Sequence, residues 1–202
     1  MDTDARLIEA LWSTVAARGW RGLTATRLAE VSGVPAGELV ARFPSRLDLL
    51  RLHTEAMDAE VMAGTVPGQG GSPRDRLFDV MMRRIDALQN HRPGLLRFMG
   101  EARTDPLLGL ALAPVLRASM ARMLEAAELD AAGPAGSARA VGLVGVWLMT
   151  LRAWEGDGTV DLGPTMAALD RALDRAEATA RSLGIGPGDL APPAEGDGPT
   201  PP

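Results

Sequence analysis

Residues 20–46, WRGLTATRLAEVSGVPAGELVARFPSR, decide the fold. The stretch reads as two short helices joined by a tight turn. Thr24 suits an N-cap, because its hydroxyl can accept from an otherwise unpaired N–H of the first helical turn. Leu28 and Val31 are expected to face inward, and Ala29 is small enough for another helix to approach closely. Gly33 tolerates positive φ, the common way for a helix to end. Pro35 fits the first turn of the next helix, where its missing N–H costs nothing. Leu39 and Phe43 then share one face, and Pro44 stops the helix. Ala29, Gly33, Val34 and Leu39 thus mark a helix-turn-helix, whose second helix has the dimensions to enter a DNA major groove.

Working outward, the spacing predicts a helix over 3–18, with Leu7, Ile8, Leu11, Trp12 and Val15 on one stripe. Gly19 ends it, and Trp20 and Leu23 close a small core. A fourth helix over 45–63 starts at Ser45, with Asp48 three residues on, close to a capping box. Leu49, Leu52, Ala56, Met57 and Val61 form its expected buried side, and His53, near Arg51 and Glu55, is expected to be solvated. Residues 64–72 read as a flexible loop. A fifth helix over 73–90 buries Leu77, Met81, Ile85 and Leu88, with Asp75, Asp79, Arg83 and Asp86 on its wet face, and a sixth covers 94–103. Residues 106–129 are expected to form a short helix, a kink at Pro114 and a longer helix. A turn at 131–136 precedes two last helices, 137–155 and 162–183. Residues 184–202 are rich in Gly and Pro and are expected to be a disordered tail.

At Arg18-Gly19-Trp20, Thr24, Leu28-Ala29-Glu30, Gly33-Val34, Gly37, Leu39 and Phe43-Pro44-Ser45-Arg46, residues 5–50 resemble the N-terminal domain of TetR-family repressors. That resemblance implies an all-α, TetR-like fold of about nine helices. Its parts are a helix-turn-helix domain over 1–47, a helical ligand-binding and dimerisation body over 48–183, and the tail. It also implies double-stranded operator DNA as a partner. The residues placed to meet DNA are Thr24, Arg27, Arg42 and Arg46 at phosphates, with Pro35, Ala36, Gly37, Glu38, Val40 and Ala41 toward base edges. Glu38 can accept from cytosine N4 but repels phosphate, and Val40 and Ala41 can touch a thymine methyl. The polar or basic readers usual in that family are missing from this face.

Composition agrees with an all-helical chain. Its 202 residues hold no Tyr, three Phe and abundant Ala, Leu, Arg, Glu and Met. The absence of Cys excludes disulfides, thiolate metal sites and cysteine nucleophiles, and fits a cytoplasmic location. The first ten residues, MDTDARLIEA, lack an apolar signal core, and no uncharged apolar run of about 18 residues marks a membrane span. All 21 basic residues are Arg, which codon bias explains together with the many Ala, Gly and Pro. A net charge of −5 argues against general nucleic-acid affinity. Locally, Arg18, Arg21, Arg27, Arg42, Arg46 and Arg51 outnumber Glu30, Glu38 and Asp48.

Catalytic parts are scarce: His53 and His91 lie in different segments, and no HExxH, GxSxG, Walker or GxGxxG motif occurs. A non-enzyme without cofactor or metal is expected. Phe78, Met81, Met82, Phe98, Met99, Met120, Met123, Trp147 and Trp154 fall on inward faces. They suit either ordinary core packing or a pocket for an apolar or isoprenoid ligand. In the last helix, Leu162, Met166, Leu169, Leu173, Ala176, Ala180 and Leu183 repeat as a heptad seam, while Ala138, Gly142 and Gly145 remove bulk from its neighbour. The two seams read as a homodimer interface in a four-helix bundle, or as packing within the monomer. Val146-Trp147, Leu151, Trp154-Glu155, Asp157 and Thr165 to Arg171 resemble the ubiquinone-biosynthesis accessory proteins, which share the fold and bind lipid. Two functions therefore stand: a ligand-controlled repressor, and a lipid-binding accessory of ubiquinone biosynthesis.

Overall fold

The apolar stripes become helices. The computed structural model describes residues 2–68 and 71–185, and among these nine helices form and no strand. They are α1 (Thr3–Arg18), α2 (Ala25–Ser32), α3 (Ala36–Arg42), α4 (Arg46–Ala63), α5 (Pro73–Gln89), α6 (Arg92–Ala102), α7 (Pro106–Ala126), α8 (Gly133–Gly156) and α9 (Gly163–Ser182). Residues 186–202, where most of the expected tail falls, lie outside the described residues.

The local signals account for most boundaries. Asp2 caps α1, and the Thr24 hydroxyl accepts from the Arg27 N–H at 3.3 Å to start α2. Gly33, at φ 72°, ends α2 and donates its N–H to the Ala29 carbonyl at 2.9 Å. The Asp48 carboxylate accepts from the Ser45 N–H at 2.9 Å and its hydroxyl at 2.8 Å, starting α4. Asp75 does the same for Ser72 at the start of α5.

Several expectations need correction. Val31 is 57% exposed, because the single buried face of this eight-residue helix is taken by Leu28 and Ser32, four apart. Ala56 is exposed as well. α6 begins at Arg92, with Pro93 in its first turn, where a proline ring is tolerated. α7 runs unbroken through Pro114, which stands on the exposed side, so the carbonyl that loses its donor can reach water. α8 begins at Gly133 inside the expected turn, with Pro134 in its first turn.

Buried residues of all nine helices, from Leu39 on α3 to Leu169, Ala172 and Leu173 on α9, join one continuous apolar core. α1 packs on α6, α2 and α4, and α4 passes from α1 to α5 and α7. α8 is sandwiched between α7 and α9, and its pairing with α9 is the most extensive in the chain. α7 and α8 are long and apolar enough to cross a membrane by length and composition alone, yet both are built into this bundle.

Candidate nucleic-acid interface and candidate ligand site

Seven residues of α3 leave room for one buried anchor, Leu39, at 2% exposure. Its opposite side presents Gly37, Glu38, Val40, Ala41 and Arg42, with Pro35 exposed before them and Ala36 half-buried. The outward face is thus mainly apolar, with one acid and one base. Each arginine expected at phosphate already has an internal partner. Arg42 grips Asp4 of α1 with both nitrogens, at 2.7 and 2.8 Å, and this pairing raises the guanidinium pKa. Arg27 donates to the Gly22 carbonyl at 2.6 Å. Arg46 donates to the Trp20 carbonyl at 2.8 Å and lies over the Trp20 ring at 5.3 Å. All three stay exposed, so a phosphate can compete for them. A cleft of about 140 Å³ opens between α2, α3 and the start of α4, lined by Thr24, Leu28, Val40, Phe43, Ser45 and Arg46 among others.

The junction between these helices and the body is aromatic. Trp12 of α1 stands edge-on to His53 at 5.0 Å and to Phe98 at 5.9 Å, and Trp20 meets Phe98 at 5.0 Å. Phe98, expected in a ligand pocket, therefore belongs to this junction. His53 is buried, not solvated, because it stands four residues from both Leu49 and Met57 on the apolar stripe of α4. Burial lowers its pKa to about 3, and the charges of His91 and Arg84 push the same way. Burial also lowers the pKa of His91, against the opposing pull of Glu9 and Glu60. Gly94 lets α6 lie against the backbone of Trp12.

Within the body, Met81, Met120, Met123, Trp147 and Trp154 are fully buried, and Phe78, Met82 and Met99 are partly buried against them. A surface cleft of about 190 Å³ lies elsewhere, lined by Thr65, Val66, Arg76, Asp79, Arg83 and Glu128 among others. Neither cleft is lined by any of the nine residues expected to hold a ligand.

Sequence reasoning missed the charged centre of the body. Asp58 of α4 is bonded to Arg84 of α5, and to Ser119 and Arg122 of α7. Arg84 is 1% exposed, and its guanidinium lies 5.0 Å from the Trp147 ring. The signal was present. Arg84 stands three residues after Met81 and four before Leu88, on the apolar stripe of α5.

At the far side, Arg92 donates to the carbonyls of Trp154 and Asp157 at 2.8 and 2.7 Å, closing the end of α8. Asp157 caps α9 by accepting from the Thr165 N–H and hydroxyl, and these bonds with those from Thr159 hold its pKa far below the usual carboxylate range. The expected interface seams separate. Leu162, Leu169 and Leu173 are buried inside the monomer, which removes them from any surface a partner could touch; Met166, Ala176 and Ala180 are half-buried. The heptad spacing marks a helix neighbour, and that neighbour is α8 of the same chain. Ala138, Gly142 and Gly145 face outward with Val141, Leu148 and Met149, forming one apolar stripe along α8.

No family model matches the chain, and no curated protein matches it in sequence. Solved structures do. A TetR transcriptional regulator from Nitrosomonas europaea is 17% identical, with a TM-score of 0.68 over 87% of this chain and 98% of that one. One from Rhodococcus sp. RHA1 is 20% identical, with a TM-score of 0.61 over 86% and 94%. A TetR-family transcriptional regulator from Streptomyces coelicolor is 16% identical, with a TM-score of 0.54 over 89% and 83%. At these identities the likeness is one of architecture. The chain has a TetR-like, all-α fold.

Proposed function

We propose that this chain is a cytoplasmic, non-enzymatic transcriptional regulator, a repressor that binds operator DNA as a homodimer and releases it when a small apolar ligand enters the body. The observation that carries the reading is the helix-turn-helix itself. α3 is anchored by Leu39 and turns Gly37, Glu38, Val40 and Ala41 outward. The capped N-termini of α2 and α4 flank it, where backbone N–H groups favour phosphate. The likeness in fold to TetR transcriptional regulators supports the same reading.

Dimerisation rests on the stripe of Ala138, Val141, Gly142, Gly145, Leu148 and Met149. A side chain added at Gly142 or Gly145 would meet nothing within 4 Å, so a partner helix can approach there. Two copies joined along α8 would present two α3 helices to one DNA face, matching half-sites about 34 Å apart. α4 connects the two activities, because it starts beside the helix-turn-helix and ends against α5 and α7.

Fluorescence anisotropy of the full chain tests the proposal. The duplexes would be its own gene's upstream region and a random sequence of equal length. Tighter binding to the upstream duplex at about 150 mM salt, weakening steeply as salt rises, is expected. Equal binding to both would refute the regulator. Lipid found bound to the purified chain in that case would favour the ubiquinone-pathway alternative.

A further inference from the structure

At the centre of the body two guanidiniums share one carboxylate. Asp58 Oδ1 accepts from Arg84 and from the Ser119 hydroxyl at 2.7 Å. Its Oδ2 accepts from Arg122 Nε at 2.8 Å and Nη2 at 2.6 Å. Among the described residues, Asp58 is the one carboxylate paired with either arginine. The cluster therefore holds one more positive charge than negative. Arg122 is 36% exposed along its side chain and can share its charge with water, whereas Arg84 is 1% exposed. Burial works against the Arg84 charge and lowers its pKa, and Arg122 pushes in the same direction.

The surplus is directed at a particular edge. Arg84 Nε is buried and has no hydrogen-bond partner, and neither has His53 Nε2, which feels the Arg84 charge. Trp147 lies along the guanidinium at 5.0 Å. Met81, Met123 and Trp154, all fully buried, belong to the same core. A buried N–H beside unbalanced positive charge is costly to leave unpaired. The acceptor that guanidinium edges bind best is a planar carboxylate. The Trp147 ring beside the guanidinium gives the apolar remainder of such a molecule a face to pack against.

We propose that the Nε edge of Arg84, carrying the surplus charge that Arg84 and Arg122 hold over Asp58, binds the carboxylate of a small apolar organic acid, which is the effector of this chain. This rests on the reading of the body as ligand-controlled, and it names the ligand's class. One bound carboxylate balances the charge of the cluster. Because it shares the charge of the guanidinium whose other side holds Asp58, it weakens the attachment of α4 to α5. The ligand is thereby sensed by the helix that reaches the helix-turn-helix.

Isothermal titration of the full chain, without DNA, compares sodium benzoate and sodium hexanoate with benzamide and hexanamide. Each acid is expected to bind at least tenfold more tightly than its amide, with a change in tryptophan emission that is absent from Trp147→Phe. Arg84→Lys keeps a cation for Asp58 but removes the Nε edge, and Arg122→Gln removes the second guanidinium. Each is expected to weaken acid binding at least tenfold. If a variant does not fold, ¹⁵N-arginine NMR of the unaltered chain decides. The Nε–H of one buried arginine must shift on adding benzoate and stay in place on adding benzamide. Acid and amide binding alike, no acid binding at 5 mM, or acid binding unaltered in both folded variants overturns the proposal. Acid binding by a chain that fails to select its upstream duplex leaves this site standing and removes the regulator reading; the reverse pair of results does the opposite.

Discussion

Replacing Gly94 by alanine tests how α6 is held against α1. A Cβ there would be driven into the carbonyl of Trp12, with the carbonyl carbon at 3.0 Å and Cα at 3.1 Å. Carbon atoms rest at roughly 3.5–4.0 Å, so the helices must separate by about 0.5–1 Å along their contact. The obstacle is backbone, which cannot rotate aside as a flexible side chain can. Overpacking of this kind costs about 1–3 kcal/mol, against which alanine returns up to about 1 kcal/mol of helix propensity. A net loss near 1 kcal/mol lowers Tm by roughly 2–4 °C in a chain of this size. Gly100→Ala is the internal control, because it lies on the same helix and an added Cβ meets nothing within 4 Å. It is expected to raise Tm by a few degrees at most, through propensity alone. Differential scanning calorimetry of both variants reads the difference. A Gly94→Ala chain as stable as the unaltered one, or a Gly100→Ala chain that falls equally, would show that α6 and α1 are not in backbone contact.

Acid should destabilise the fold through His53. Its pKa is about 6.5 unfolded and about 3 folded, so the unfolded chain binds the proton more readily between these values. Stability is therefore complete above about pH 6.5 and lost as pH falls, by about 2 kcal/mol at pH 5; urea unfolding should show this slope, and His53→Gln should flatten it. Asp58→Ala leaves Arg84 buried without its counter-charge and should cost about 3–5 kcal/mol, seen as a large fall in thermal midpoint. The unaltered chain is expected to sediment as a dimer, and Leu148→Arg, which places a charge on the exposed α8 stripe, should yield monomers; an unchanged profile excludes that stripe as the interface. Asp4→Asn frees Arg42 from its internal partner and should tighten duplex binding a few-fold, while Arg42→Ala should weaken it. Unchanged affinity in both would mean that Arg42 does not meet DNA.

What the sequence revealed follows from the range of the forces involved. Caps and apolar spacing act over three or four residues, so Thr24, Gly33, Ser45 and the stripes of α1 and α5 could be read directly. Side chains that find partners far along the chain could not. Asp58 meets Arg84 across 26 positions and Arg122 across 64, and no local pattern specifies either pairing. The neighbours Arg51 and Glu55 point to a solvated His53, whereas its place between Leu49 and Met57 sets its environment. The α9 seam was legible as a packed surface, but spacing carries no information about which chain supplies the opposite side. On α3 the sequence revealed which residues face outward, while the engagement of Arg27, Arg42 and Arg46 by Gly22, Asp4 and Trp20 arises only in the folded chain.

α4 is also a lever whose proportions can be estimated. About 20 Å of continuous helix separates the Asp58 anchor from Ser45, where α4 adjoins α3. Tilting the helix by about 10° around the anchor would sweep its far end through about 3.5 Å. In two copies moving oppositely, the distance between recognition helices would change by about 7 Å, a fifth of the roughly 34 Å groove repeat. Loosening one carboxylate in the core could then put both copies out of step with the double helix, with no residue of α3 altering its own conformation.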